Sequence, residues 1–222
     1  FQETALRNCP KKSPIGDSMQ YDVTIITVRP GTVPKAVAKL EGPLTSGHAG
    51  KNFLACWYSE IGALNQILVI RNSPNLAEAI AEREAVLRSG NPFGIGEFIA
   101  GMTMDTYTSF DFIKPMHPGT YGPFYEVRSY TLKPEGLAPT IALWEKAVPA
   151  RANISPLLAA MTSVSGPVTR FMHIWPYASL DDRQRLRGKS VADGVWPPPG
   201  GPDHLAAMQT DVFLPAVFSP MR

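Results

Sequence analysis

Residues 20–32, QYDVTIITVRPGT, and residues 124–136, FYEVRSYTLKPEG, share one cadence of apolar and polar positions, and both run into a proline. Alternation with a period of two marks a strand whose faces differ, and proline cannot continue a ladder. Strands are therefore predicted over residues 21–29 and 125–133. An offset of 104 residues, as from Tyr21 to Tyr125, keeps the chain in register with itself through Ala38/Ala142, Glu41/Glu145, Leu54/Leu158, Ser59/Ser163, Gly62/Gly166, Ile70/Ile174, Leu76/Leu180 and Arg83/Arg187. Met104/Met208 and Thr106/Thr210 coincide at the same offset near the ends. So many identities at one constant offset indicate a tandem repeat.

Each repeat reads β-α-β-β-α-β. Helical spacing of apolar residues follows over 33–44 and 137–148, the latter through Ile141, Trp144 and Val148. Strands are predicted over 53–59 and 157–164, and over 66–71 and 169–175, with Gly62 and Gly166 marking turns. The second helices begin at Ser73-Pro74-Asn75 and at Ser179-Leu180-Asp181-Asp182, both recognisable as start signals. Final strands are predicted over 102–112 and 208–218. Such a unit folds as a four-stranded antiparallel sheet with both helices on one face, the ferredoxin-like arrangement. Two of them can cover each other's open face, giving an α+β, eight-stranded, barrel-like core within one chain. The expected division is a leader or expression-tag remnant at 1–18, a first repeat at 19–116 and a second at 117–222.

Composition narrows the function classes. With 44% apolar and 18% charged residues the chain is globular rather than disordered. A formal net charge of +2 supplies no global field for nucleic acid or an anionic membrane, so neither is an expected partner. No apolar run approaches the roughly 20 residues of a membrane span. Cys9 and Cys56 lie in unlike contexts, which disfavours a disulfide framework and fits a reducing, cytoplasmic setting. The run Arg183, Arg185, Arg187, Lys189 reads as a solvated helix face.

The second repeat resembles the NIPSNAP family of the dimeric α/β-barrel superfamily. The likeness is carried by YEVRSYTLKPE (residues 125–135), Trp144, GPVTRFMHIWPYASLDDR (166–183) and the closing FSPM (218–221), and extends more dimly into the first repeat through residues 58–84. The resemblance implies the fold already reached from the repeat and little chemistry. Its superfamily includes cofactor-free and heme-using oxygenases, isomerases and small-molecule binders, so fold alone does not settle function.

Candidate chemistry gathers in the second repeat. Alternation sets Tyr125, Val127, Ser129 and Thr131 on one face, and Glu126, Arg128 and Tyr130 on the other. The first set is more consistently apolar or small across both repeats, so it is expected under the helices. Glu126, Arg128 and Tyr130 are then expected inside the barrel, with Phe171, His173 and Trp175 from the third strand. Arg128 would grip a carboxylate or carbonyl oxygen through its fork, and Phe171, Trp175, Tyr130 and Trp144 would wall an apolar body. His173 would move a proton near neutral pH, and Glu126 is a third catalytic candidate directed at the same cavity. At the matching positions the first repeat has Thr24, Leu40, Val69 and Arg71 for Arg128, Trp144, His173 and Trp175, so it is expected to be mainly structural.

The bland reading competes at each point: Glu126 and Arg128 can pair with each other, His173 can be a satisfied core histidine, and Trp144 can be packing. The four histidines lack metal-ligand spacing, no phosphate loop is present, and Ser59, Ser163 and Cys56 lack a partnering base. No cofactor is expected. Two loops, around GNPFGIGEF (90–98) and WPPPGGP (196–202), read as rigid connectors, with a lid over the pocket as the alternative. The expectation is a small-molecule-binding protein of unassigned reaction, catalytic or not. A non-catalytic scaffold is the alternative, and a cofactor-free oxygenase or isomerase, or a heme binder, is third. Its helical outer surface leaves room for a homo-oligomer.

Overall fold

The computed structural model describes residues 19–46, 50, 52–164 and 169–222. The expected leader with Cys9, together with His48 and the turn at Gly166, lies outside the described residues. The first repeat comprises β1 (Gln20–Val28), α1 (Val33–Ser46), β2 (Phe53–Ile61), β3 (Gln66–Ser73), α2 (Leu76–Arg88) and β4 (Ile99–Ser109). The second comprises β5 (Phe124–Leu132), α3 (Leu137–Ala152), β6 (Ala159–Ser163), β7 (Arg170–Tyr177), α4 (Leu180–Ala192) and β8 (Leu205–Pro215). The start signals act as predicted: the Asn75 side chain accepts from the Glu78 N–H, and the Ser179 hydroxyl from the Asp182 N–H.

The eight strands close into one barrel in the order β1-β3-β2-β8-β5-β7-β6-β4. The sheets do not merely lie face to face, as the sequence suggested. They join edge to edge through two seams, with Tyr58 opposite Leu214 on β2 and β8, and Thr108 opposite Thr162 on β4 and β6. Every strand of the closed barrel is paired on both sides, so the sheet offers no free edge.

Closure makes three packed layers. The lumen holds side chains of both repeats, among them Tyr21, Val23, Leu68, Tyr125, Val127, Met172 and Phe213. One end is stoppered by Trp57 stacked on Tyr125 at 4.0 Å, with Met116 and Met221 packed in the same cluster. A second layer, under α1 and α2, is built on Ile26, Leu40, Leu44, Ile67 and Val69. A third, under α3 and α4, is built on Tyr130, Trp144, Phe171 and Trp175.

The final strands sit three residues earlier than predicted because their continuations leave the ladder and cross to the other repeat. Phe110 stacks on Phe171 at 5.2 Å, and Phe218 meets Phe53 at 6.3 Å. The offset also changes here. β4 sets Tyr107 against Tyr21 and β8 sets Phe213 against Tyr125, so the last strands are related by 106 residues rather than 104. Met104/Met208 and Thr106/Thr210 are therefore coincidences. The extra length falls in the loop between α4 and β8.

Candidate functional site

The polar set stays together, but on the other face of the sheet. Tyr125, Val127, Met172 and Ile174 point into the lumen, whereas Tyr130, Phe171 and Trp175 join the layer beneath α3 and α4. Glu126, Arg128 and His173 alternate with the lumen residues on the same strands, so they too face the helices. This reverses the expected placement of Glu126, Arg128, Tyr130, Phe171, His173 and Trp175 in the barrel interior. The physical reason is that a closed barrel with an outer helical layer buries both sheet faces. Each face then carries apolar residues, and period two alone does not say which is inner.

A pocket of about 280 Å³ opens between this face and the two helices. Its walls include Tyr130, Trp144, Phe171 and Trp196, with Arg128 and Arg187 as its cations. The loop after α4 contributes Trp196, Pro197, Pro198, Gly201 and Pro202. Four predicted residues (Arg128, Tyr130, Trp144 and Phe171) thus line one cavity. Glu126, His173 and Trp175 sit behind its wall.

Glu126 is fully buried and is met by three guanidinium groups. Arg128 Nε lies 3.0 Å and Arg183 Nη2 2.7 Å from Oε1, and Arg187 Nη1 lies 3.5 Å from Oε2. Arg128 also donates from Nη1 to the Tyr130 hydroxyl at 2.7 Å. Burial raises the Tyr130 phenol above its ordinary range, partly countered by Arg128. Sequence reasoning missed Arg183 and Arg187 by treating the basic run of α4 as uniformly solvated. The signal was their i, i+4 spacing, which sets both on one face. Their neighbours do lie outside: Arg185 pairs with Asp182 at 2.5 Å and Lys189 with Asp193 at 2.7 Å.

A fourth cation lies deeper. The Arg151 guanidinium stacks 4.4 Å from the Trp175 ring and 6.0 Å from the Trp196 ring, and burial lowers its pKa. Three arginines thus meet a single buried carboxylate, and Arg151 adds a fourth cation to the same layer.

His173 is fully buried and its Nδ1 accepts from the Trp175 indole N–H at 2.7 Å. That bond assigns the proton to Nε2. Burial, reinforced by Arg128, Arg187 and Arg151, pushes its pKa well below the ordinary value. The expected proton transfer near neutral pH is corrected accordingly: His173 is a neutral member of an aromatic cluster, 4.7 Å from the Trp144 ring and 4.8 Å from the Tyr130 ring.

The first repeat repeats the ionic motif, with buried loop residues in the corresponding layer. Asp22, which matches Glu126 in the strand register, is buried and pairs with Arg71 at 2.8 Å and Arg83 at 3.0 Å. Arg71 lies 5.8 Å from the Phe93 ring, and Phe93 and Ile95, both buried, come from the loop corresponding to the pocket's own. Phe93 holds a left-handed backbone (φ 52°), and its side chain packs into the layer under α1 and α2. No group of three or more histidine, cysteine, aspartate or glutamate residues capable of holding a metal occurs among the described residues. No described helix is long and apolar enough to cross a membrane.

These features define an α/β barrel of two fused ferredoxin-like repeats with an open pocket in the helix layer of the second. The solved structure of an anthrone oxidase-like protein has the same fold, with a TM-score of 0.62 over 90% of this chain and 92% of that one, at 10% identity. The NIPSNAP family profile matches residues 21–110 and 125–220, and the chain belongs to the NIPSNAP family. It is 23% identical over 154 residues to "Protein NipSnap homolog" of Dictyostelium discoideum, covering 69% of each chain. To "Protein NipSnap" of Drosophila melanogaster it is 26% identical over 158 residues, covering 68% of this chain and 52% of that one. The match thus spans only about half the length of the Drosophila relative.

Proposed function

We propose that the second repeat binds a small organic anion with a flat or apolar body in the pocket between its sheet and its helices. The observation that carries this reading is the charge imbalance at the pocket: Arg128 and Arg187 line it, and the buried carboxylate beside them is shared with Arg183. A guanidinium that keeps donors free of its internal partner can take a carboxylate in forked geometry. Tyr130, Trp144, Phe171 and Trp196 supply faces against which an apolar body desolvates. Glu126 acts by holding the arginines in place rather than by touching ligand. His173, neutral and behind the wall, fixes Trp175 and is no proton shuttle.

The scaffold reading draws on a specific observation, the recurrence of the carboxylate–arginine cluster in the first repeat, where Phe93 and Ile95 pack the corresponding layer. Titration calorimetry with 1-naphthoate and with uncharged 1-naphthalenemethanol separates the two. Binding of the anion, weakened about tenfold or more by Arg128→Ala and much weaker for the alcohol, is the expected result. Absence of binding by naphthoate and by a panel of aliphatic carboxylates, with Arg128→Ala acting on stability alone, favours the scaffold.

A further inference from the structure

The barrel lumen contains a second cavity, of about 410 Å³, on the opposite face of the sheet from the first. Its floor is apolar, formed by Leu68, Val127, Met172 and Phe213. Its mouth is polar, with Gln66, Ser129, Gln209, Asp105, Arg170 and Asp211. The other end of the lumen is closed by the Trp57–Tyr125 stack, so access is from the polar end.

The charges at the mouth differ in kind from those in the helix layer. Arg170 and Asp105 form a bidentate pair, both bonds 2.7 Å, and so offset each other. Asp211 is only 6% exposed, and its carboxylate is met by neutral donors: Oδ1 accepts from the Ala63 N–H at 2.9 Å, and Oδ2 from the Gln209 amide at 2.8 Å. The first of these bonds depends on the turn after β2. Gly62 there has φ +106°, and a Cβ on it would lie 2.0 Å from Asp211 Oδ1. The turn thus brings an N–H to the carboxylate through the space that only glycine leaves free.

We propose that the lumen is a second ligand site, taking a small organic cation with its apolar body on the Leu68–Phe213 floor and its ammonium against Asp211. Among the described residues the helix-layer pocket carries surplus cations, and the lumen carries one carboxylate beyond its internal pair. A buried carboxylate held by neutral donors retains lone pairs for a cationic partner. The two sites select opposite charges and lie back to back across β5 and β7.

Titration calorimetry or ligand-detected NMR with phenethylammonium on the full chain tests this. Gly101 lines the lumen, and a Cβ there meets only Thr27 Cβ, at 4.0 Å, so Gly101→Leu occludes the mouth without displacing backbone. Binding is expected in the unaltered protein, about tenfold or more weaker in Asp211→Asn, absent in Gly101→Leu, and unchanged in Arg128→Ala. The last arm separates this site from the helix-layer pocket. The proposal is overturned by no binding of phenethylammonium, by equal binding in Gly101→Leu, or by loss in Arg128→Ala with Asp211→Asn unaffected.

Discussion

The two repeats share a strand register and a buried carboxylate, yet one helix layer is filled by a buried phenylalanine and isoleucine from its loop and the other carries a pocket. In the first, Phe93 and Ile95 turn inward from the loop before β4, Leu40 and Val69 are fully buried, and Arg71 binds Asp22 from within the sheet. In the second, the corresponding loop is two residues longer, Arg128 stands where Thr24 does, and Trp144 and Trp196 meet edge to face at 4.7 Å. The difference teaches that the ionic cluster belongs to the fold, whereas the pocket comes from what the loop before the last strand does. One loop inserts an aromatic plug; the other passes over the opening.

The comparison breaks most visibly at the carboxylates. Arg71 is 2% exposed at its side chain, so Asp22→Ala removes the anion 2.8 Å from a buried guanidinium, leaves it only the longer contact to Glu82 at 3.8 Å, and is expected to cost about 3 kcal/mol in urea unfolding. Arg183 and Arg187 are 25% and 31% exposed and can turn to water, so Glu126→Ala is expected to cost less, about 2 kcal/mol. Equal losses would show that the two clusters are held alike. Next comes the plug: Phe93→Ala is expected to cost about 3 kcal/mol and to open a cavity in the first repeat that takes xenon under pressure. Trp196 is only half-buried, and Trp196→Ala is expected to cost about 1–2 kcal/mol while hastening release of any pocket ligand.

The smallest effect concerns acid. Because burial depresses the folded pKa of His173 below its ordinary 6.5, the unfolded chain binds a proton that the folded chain refuses. Its contribution is therefore present above the unfolded pKa and is lost progressively as pH falls below 6.5. His173→Phe should flatten that part of the stability–pH curve, with no counterpart in the first repeat, where Val69 occupies the matching place.

Much of this was legible in the chain. The offset between Tyr21 and Tyr125 disclosed the repeat, alternation gave the strands, and Asn75 and Ser179 announced the helices. What alternation could not convey was the inner face, because Val127 and Tyr130 are both buried, one in the lumen and one under the helices. The plug was also hidden: Phe93 reads as one more residue of a glycine-rich loop, and only its left-handed backbone lets the loop turn it inward. Two of the partners of Glu126 come from a helix some 60 residues downstream, and besides their i, i+4 spacing the repeat pointed to one of them, through the match of Arg83 with Arg187.

Closing the barrel inside one polypeptide has a consequence for how such a protein can vary. In an assembly of two identical chains every substitution appears at both symmetry-related places, so a residue that seals one pocket seals its twin. Here the seams β2·β8 and β4·β6 join halves that are encoded separately. Each half is free to drift provided the seams still mate, and a specialised lobe can be kept beside one reduced to support.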